Sequence, residues 1–166
     1  MQYKVTEAQL LAFHRLTTRK AFVFCSALCG GYLLFVLTLI AFAGSDALLL
    51  GLAIAAGVLL FLMVISRYVI TPRQVSTIYR EDRQIQEPTT ITFHQDGYTA
   101  QSASGLNSRK WANMVKWDED GDIFVVYSTR QLGHIFPKDQ VPQDVIDEIR
   151  GRLIASGLGE KGKLRK

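Results

Sequence analysis

The side chains able to do chemistry are few and scattered along this chain. His14, His94 and His134 stand far apart, and none has a neighbour at metal-ligand spacing. Cys25 and Cys29 sit one helical turn apart, so they share a helix face but are poorly placed for a disulfide within that helix. No further cysteine or histidine stands nearby to complete a metal or redox site, and the pair reads as small apolar packing residues. The acidic run Asp118, Glu119, Asp120 and Asp122 could attract a cation, yet it lacks the remaining ligands and spacing of a calcium loop. It reads as a solvated hairpin turn. Ser102-Ala103-Ser104-Gly105 has no elbow context for a nucleophile. Residues 157–164, GLGEKGKL, approach the phosphate-binding pattern GxxxxGK followed by Ser or Thr. Leu164 stands where the hydroxyl belongs, no strand precedes the run, and two residues cannot supply the helix whose N-terminus would hold the phosphate. No catalytic, cofactor-binding or metal-binding residue is assigned. The chain is expected to be no enzyme and to need no cofactor.

What remains is recognition by charge. Arg109 and Lys110, with Lys116 close by, could form a basic edge, and Lys138 could join a binding rim, although Pro137-Lys138 also reads simply as a strand end and turn. Arg67, Arg73, Arg80 and Arg83 follow a long apolar stretch and could meet anionic lipid, each worth about 1 kcal/mol near a charged surface. The plainer alternative is that these charges only set topology and solubility. The net charge of +4 lacks the dense cluster that nucleic-acid binding would require.

The element that positions these residues is residues 21–66, in which Asp46 is the only charge. It reads as two apolar runs, 22–43 and 48–70, joined at Gly44-Ser45-Asp46-Ala47. Each run is about 22 residues, or about 33 Å of helix, enough to cross a hydrocarbon core of about 30 Å. Neither run carries a polar stripe, unlike a core helix that meets water on one face. A cleaved signal peptide fits poorly, because a second run follows at once. The link is so short that the two helices must be antiparallel. Gly30, Gly31, Gly51 and Gly57 are candidate packing positions, since small residues bring membrane helices together. Thr38 is the main polar group within the spans, and no ionisable residue lies deep in either, which argues against a pump or ion pathway. Basic residues flank the pair while the link holds only Asp46, so both termini are expected in the cytoplasm.

In order, residues 1–20 open with a weak strand and the capping box Thr6-Glu7-Ala8-Gln9. A helix is predicted from there to Lys20, lying either along the membrane or against the following domain. The hairpin occupies 21–70, and Thr71-Pro72 marks its exit into a charged connector, 71–88, ended by Pro88. From 89 the period changes to two. Strands are predicted at 90–93 and 98–103 around Asp96-Gly97, then a turn at 104–107, a strand at 109–117, an acidic turn at 118–121, and strands at 123–127 and 132–136. Pro142 is placed at N1 of a last helix, with Gly157 as its stop. The region 89–157 is thus an antiparallel sheet of about five or more strands capped by a helix, and 158–166 is a basic tail. The fold class is an α+β membrane protein.

These residues resemble a known family. A Val5-Thr6-Glu7 helix start, a two-span hairpin, Ile91-Thr92-Phe93 before Asp96-Gly97, Trp111 with Val115-Lys116, Phe124-Val125-Val126-Tyr127 and Ile135-Phe136-Pro137-Lys138 occur together and in order, as in YcxB-like bacterial membrane proteins. The resemblance implies a multi-pass protein of the bacterial inner membrane whose cytoplasmic domain is PH-like. It supplies no activity and no catalytic residue. The expected partners are the phospholipid bilayer and a protein partner or a second copy of the chain, with no nucleic acid. The expected role is docking of a protein or lipid headgroup by the cytoplasmic domain. The alternative role is an immunity protein that neutralises a membrane-active toxin through its hairpin.

Overall fold

Helix α1 starts where its capping residues place it. The Thr6 amide donates to Gln9 Oε1 at 2.9 Å and the Gln9 amide donates to Thr6 Oγ1 at 3.3 Å, satisfying two donors that a helix start would otherwise leave open. In this computed structural model, which describes residues 1–44 and 46–158, α1 then runs unbroken over Glu7–Ala43. The opening helix and the first apolar run are therefore one element, not two, because nothing between Leu16 and Phe22 is a helix breaker. Ser45 of the link and the basic tail from 159 lie outside the described residues, as does most of the GLGEKGKL run.

The chain divides into two compact units: Met1–Thr17 with Val75–Lys166, and Thr18–Gln74. The second unit holds the rest of α1, helix α2 (Ala47–Ile65), a π-helical turn (Ser66–Ile70) and the start of α3 (Thr71–Glu81). Gly44 ends α1 at φ +90°, a conformation that suits glycine. Two helices, Glu7–Phe42 and Ala47–Glu81, are long and apolar enough to cross a membrane, and only 6% of either apolar window is buried within the chain. A soluble core pair would instead be covered. Among the described residues of the two apolar runs Val36 and Ala56 are the buried side chains, whereas Phe42 and Leu48 are 88% and 74% exposed. The expected exit at Thr71-Pro72 does not end the helix. Proline lacks an amide proton and its ring crowds the carbonyl four residues back. The π turn accommodates it: the Thr71 amide reaches back to the Ser66 carbonyl, and the Thr71 hydroxyl donates to the same oxygen at 2.9 Å.

The first unit corrects the single sheet expected from the sequence. Its described residues form two antiparallel sheets, ordered β1-β2-β3-β4 and β5-β6-β7. Strands β1 (Gln2–Tyr3), β2 (Thr89–Phe93), β3 (Gly97–Ser102) and β4 (Gly105–Lys110) form one. Strands β5 (Lys116–Glu119), β6 (Ile123–Tyr127) and β7 (Gly133–Pro137) form the other. The strand predicted at 109–117 is broken by a 3₁₀ turn over Trp111–Asn113, which buries Trp111 and lets the chain leave one sheet for the next. The turn predicted at 104–107 falls earlier: Ser102 pairs with Gly105, so Leu106 and Asn107 already belong to β4. Asp118 and Glu119, expected in a turn, complete β5, and the turn itself is held by Asp120 Oδ1, which accepts from the amides of Asp122 and Ile123 at 3.0 Å each.

Helix α4 (Gln143–Ala155) closes this unit, with Pro142 as N-cap, one place before the N1 position expected for it. Its end is a Schellman arrangement. Gly157, at φ +95°, donates to Ile154 O at 2.9 Å, and Leu158 donates to Leu153 O at 3.1 Å. The main core joins Tyr98, Trp111, Met114 and Ile91 of the first sheet and its exit to Phe124, Val126 and Phe136 of the second, and to Ile146, Ile149 and Leu153 of α4. A smaller core lies on the other side of β6, where Leu10, Phe13 and Leu16 of α1 pack with Ile123, Val125, Tyr127 and Ile135. Covered on both faces, β6 is a continuous apolar run and not an alternating one.

Candidate binding site: a polar cavity

Hairpin register decides which polar side chains meet. The tight turn at Ala103-Ser104 sets Tyr98 opposite Arg109 and Ala100 opposite Asn107. On the second sheet Val126 lies opposite His134. These strands enclose a cavity of about 160 Å³, with Tyr98, Asn107, Arg109, Val126, Ser128 and His134 among its walls. Asn107 and Leu132 are exposed and form its rim. A shallower groove of about 370 Å³ adjoins it, sharing Ala100, Asn107 and His134 and extending to Thr89, Ser104 and Asp82. At its edge the Ser104 amide and hydroxyl donate to the Glu87 carboxylate at 2.8 and 2.5 Å, tying the β3–β4 turn to the segment before β2. Those two bonds also hold the Glu87 carboxyl below its ordinary pKa.

His134 sits within a ring of aromatics. Its centroid lies 4.9 Å from that of Phe136, 5.3 Å from Tyr98 and 6.2 Å from Tyr3. Its Nε2 forms a short hydrogen bond with the Tyr3 hydroxyl. Burial pushes the imidazole down to about 4, and the positive charge of Arg109 adds to that effect. Burial also raises the Tyr3 phenol well above its usual range, and raises Tyr98 to about 12 against the opposing pull of Arg109. At neutral pH the three rings are therefore uncharged. A neutral imidazole facing a phenol that holds its proton is matched by Tyr3 donating to Nε2. Arg109 is half-buried, and no carboxylate among the described residues pairs with it. The cavity thus carries one fixed positive charge among neutral hydrogen-bonding groups.

The other basic residues singled out in the sequence have different surroundings. Lys110 is exposed beside Asp96 and Arg152, and Lys116 places its ammonium 4.0 Å from the Tyr127 ring centre. Arg109, Lys110 and Lys116 therefore face three separate environments. Lys138 donates to Glu119 Oε2 at 2.9 Å and to Asp120 O at 2.6 Å, while Arg150 grips the same Glu119 carboxylate at 3.0 and 3.1 Å. This ion cluster pins the β5–β6 turn to β7 and α4. In the second unit, Arg67 donates to Thr18 Oγ1 at 3.3 Å and its guanidinium lies 4.4 Å from the Phe22 ring centre, so the two apolar helices carry basic residues at a shared end. Arg73, Arg80 and Arg83 are exposed along and after α3. Gly30 and Gly57 are half-buried and Gly31 and Gly51 exposed, and a Cβ added at any of the four would meet nothing within 4 Å. Among the described residues no three His, Cys, Asp or Glu side chains converge as metal ligands.

Sequence reasoning named Arg109, weighed His134 only as a metal ligand and set it aside, and missed Tyr3, Tyr98, Asn107 and Ser128. The signal that could have found Tyr98 and Asn107 was the β3–β4 turn; Tyr3 and His134 come from other strands, Ser128 follows β6, and none of these had a local signal. Placing it at Ala103-Ser104 aligns Tyr98 with Arg109 at once.

The family model described as YcxB-like protein matches residues 93–151, which span the cavity from Tyr98 to His134. No curated protein and no solved structure gives a match.

Proposed function

With a YcxB-like region at 93–151 as the premise, we propose that this chain is a membrane-anchored binding module rather than an enzyme. The hairpin of α1 and α2 spans the inner membrane of a bacterium with both termini in the cytoplasm. The two-sheet unit is a PH-like module in the cytoplasm that docks a protein partner or a lipid headgroup. The observation that carries this reading is the uncovered apolar surface of two helices long enough to span, with Arg67 meeting Thr18 where Arg19 and Lys20 follow. Hydrocarbon needs no polar stripe on a helix, whereas water would leave Phe42, Leu48 and their neighbours exposed at a cost of about 25 cal/mol per Å².

Native mass spectrometry of the full chain, gently extracted from its own membrane, tests the role. A protein or anionic lipid retained at fixed stoichiometry is the expected result. Release of the chain from membranes by alkaline carbonate would refute the anchoring. A measurable turnover abolished by a substitution in the cavity would refute the binding role.

A further inference from the structure

We infer that the cavity between the two sheets is a binding site for a small oxyanion, a phosphate or carboxylate group, held by Arg109 with Asn107, Ser128 and Tyr98 as its hydrogen-bonding partners. This deepens the binding-module reading and rests on it.

Three features of the site lead there. The first is charge. Arg109 is half-buried, faces the cavity and has no carboxylate partner among the described residues. A guanidinium withdrawn from water is costly unless an anion compensates it. Elsewhere in this unit the fold does compensate: Arg150 and Lys138 share Glu119, and Arg152 reaches Glu148. Arg109 has no such carboxylate partner among the described residues. The second is donor chemistry. An amide, two hydroxyls and a planar guanidinium line the cavity with no carboxylate among its walls, so the site offers donors where an oxyanion offers acceptors. The third is size. About 160 Å³ is below the roughly 300–1,000 Å³ of pockets that enclose drug-sized ligands. It suits one phosphate or carboxylate group, with the rest of the ligand continuing into the adjoining groove of about 370 Å³.

His134 then acts as a positioning residue. The Tyr3 bond occupies its Nε2, and its packing against Tyr98 and Phe136 holds the wall on which Tyr98 faces the guanidinium. Because burial keeps the ring neutral, Arg109 supplies the charge that selects the ligand.

The test is titration of inorganic phosphate into the full chain, held in phosphatidylcholine nanodiscs at constant ionic strength, read by calorimetry. Saturable one-to-one binding is expected, weakened at least about tenfold by Arg109→Gln, which removes the charge-assisted bonds. Lys110→Gln, its exposed neighbour, should leave affinity within about twofold, as expected of a screened surface charge. The double variant Asn107→Ala, Ser128→Ala guards against misfolding of Arg109→Gln: it should also weaken binding while leaving the emission of Trp111 and Trp117 unchanged. Equal weakening by Arg109→Gln and Lys110→Gln, or no saturable binding, overturns the inference. Nanodiscs doped with phosphatidic acid separate the two sources. If the doped lipid competes with phosphate, a lipid headgroup fills the site; if phosphate binds unchanged, the oxyanion comes from solution or from a protein. Loss of phosphate binding with a partner still retained in native mass spectrometry would sink this inference alone, whereas failure to enter the nanodisc would sink the anchoring.

Discussion

Lowering the pH from 7 to 4 places a proton on His134, and the fold has no provision for that charge. The ring lies among Tyr3, Tyr98 and Phe136, and the like charge of Arg109 acts against a proton on it. Its pKa is about 4 in the fold against 6.5 in an open chain. Between those values the unfolded chain binds the proton and the folded chain does not, so stability falls as pH drops through that window and is unaffected above it. At about 1.4 kcal/mol per factor of ten, the loss from this one residue reaches about 3 kcal/mol at pH 4. Urea unfolding of the full chain in detergent, followed by the emission of Trp111 and Trp117, reads it directly, since both rings are buried in the unit that contains His134. Carboxylates titrate in the same range, and so the informative quantity is the difference from His134→Gln, which cannot take the proton. The variant should lose about 3 kcal/mol less than the parent between pH 7 and pH 4. Ring-proton NMR offers a second reading, in which His134 stays neutral to about pH 5. Equal pH slopes in parent and variant, or a His134 resonance titrating near 6.5, would refute the reasoning.

Other substitutions test the remaining links. Gly97→Ala places a Cβ 2.0 Å from the Arg109 carbonyl oxygen, so β3 and β4 must part; a loss of at least about 2 kcal/mol is expected in the same urea assay. Gly105→Ala, where a Cβ meets nothing within 4 Å, should change stability by no more than about 0.5 kcal/mol. Gln9→Ala removes both the capping acceptor for Thr6 and the 2.8 Å bond to Asp139, and should cost about 1–2 kcal/mol, seen as faster amide exchange in the first turn of α1. Glu119→Gln removes the negative charge shared by Lys138 and Arg150; about 1 kcal/mol should be lost at low salt and less at 1 M, as expected for partly exposed ion pairs.

Much of the fold was legible because local chemistry decided it. The capping box at Thr6 and Gln9 forms as read, and Asp96-Gly97 does mark the β2–β3 hairpin. Gly97, however, is needed for a reason invisible in a turn motif: its φ is not positive, and its missing side chain makes room for the Arg109 carbonyl. The errors fell where neighbours in space outweigh neighbours in sequence. Residues 109–117 look like one strand, yet burying Trp111 against Tyr98 and Phe93 bends the chain into a second sheet. The acidic run looks solvated, yet Glu119 holds two cations contributed by β7 and α4.

Two long apolar helices, the capped start of α1, the Gly157 stop of α4 and the existence of most antiparallel strands were determined by the sequence alone, since hydropathy period, caps and turn residues act over a few residues. The split into two sheets, the covering of β6 by α1 and the cavity were decided only by tertiary structure. Tyr3, Tyr98, Arg109 and His134 come from four different strands, and strand register, which no local pattern encodes, places them together.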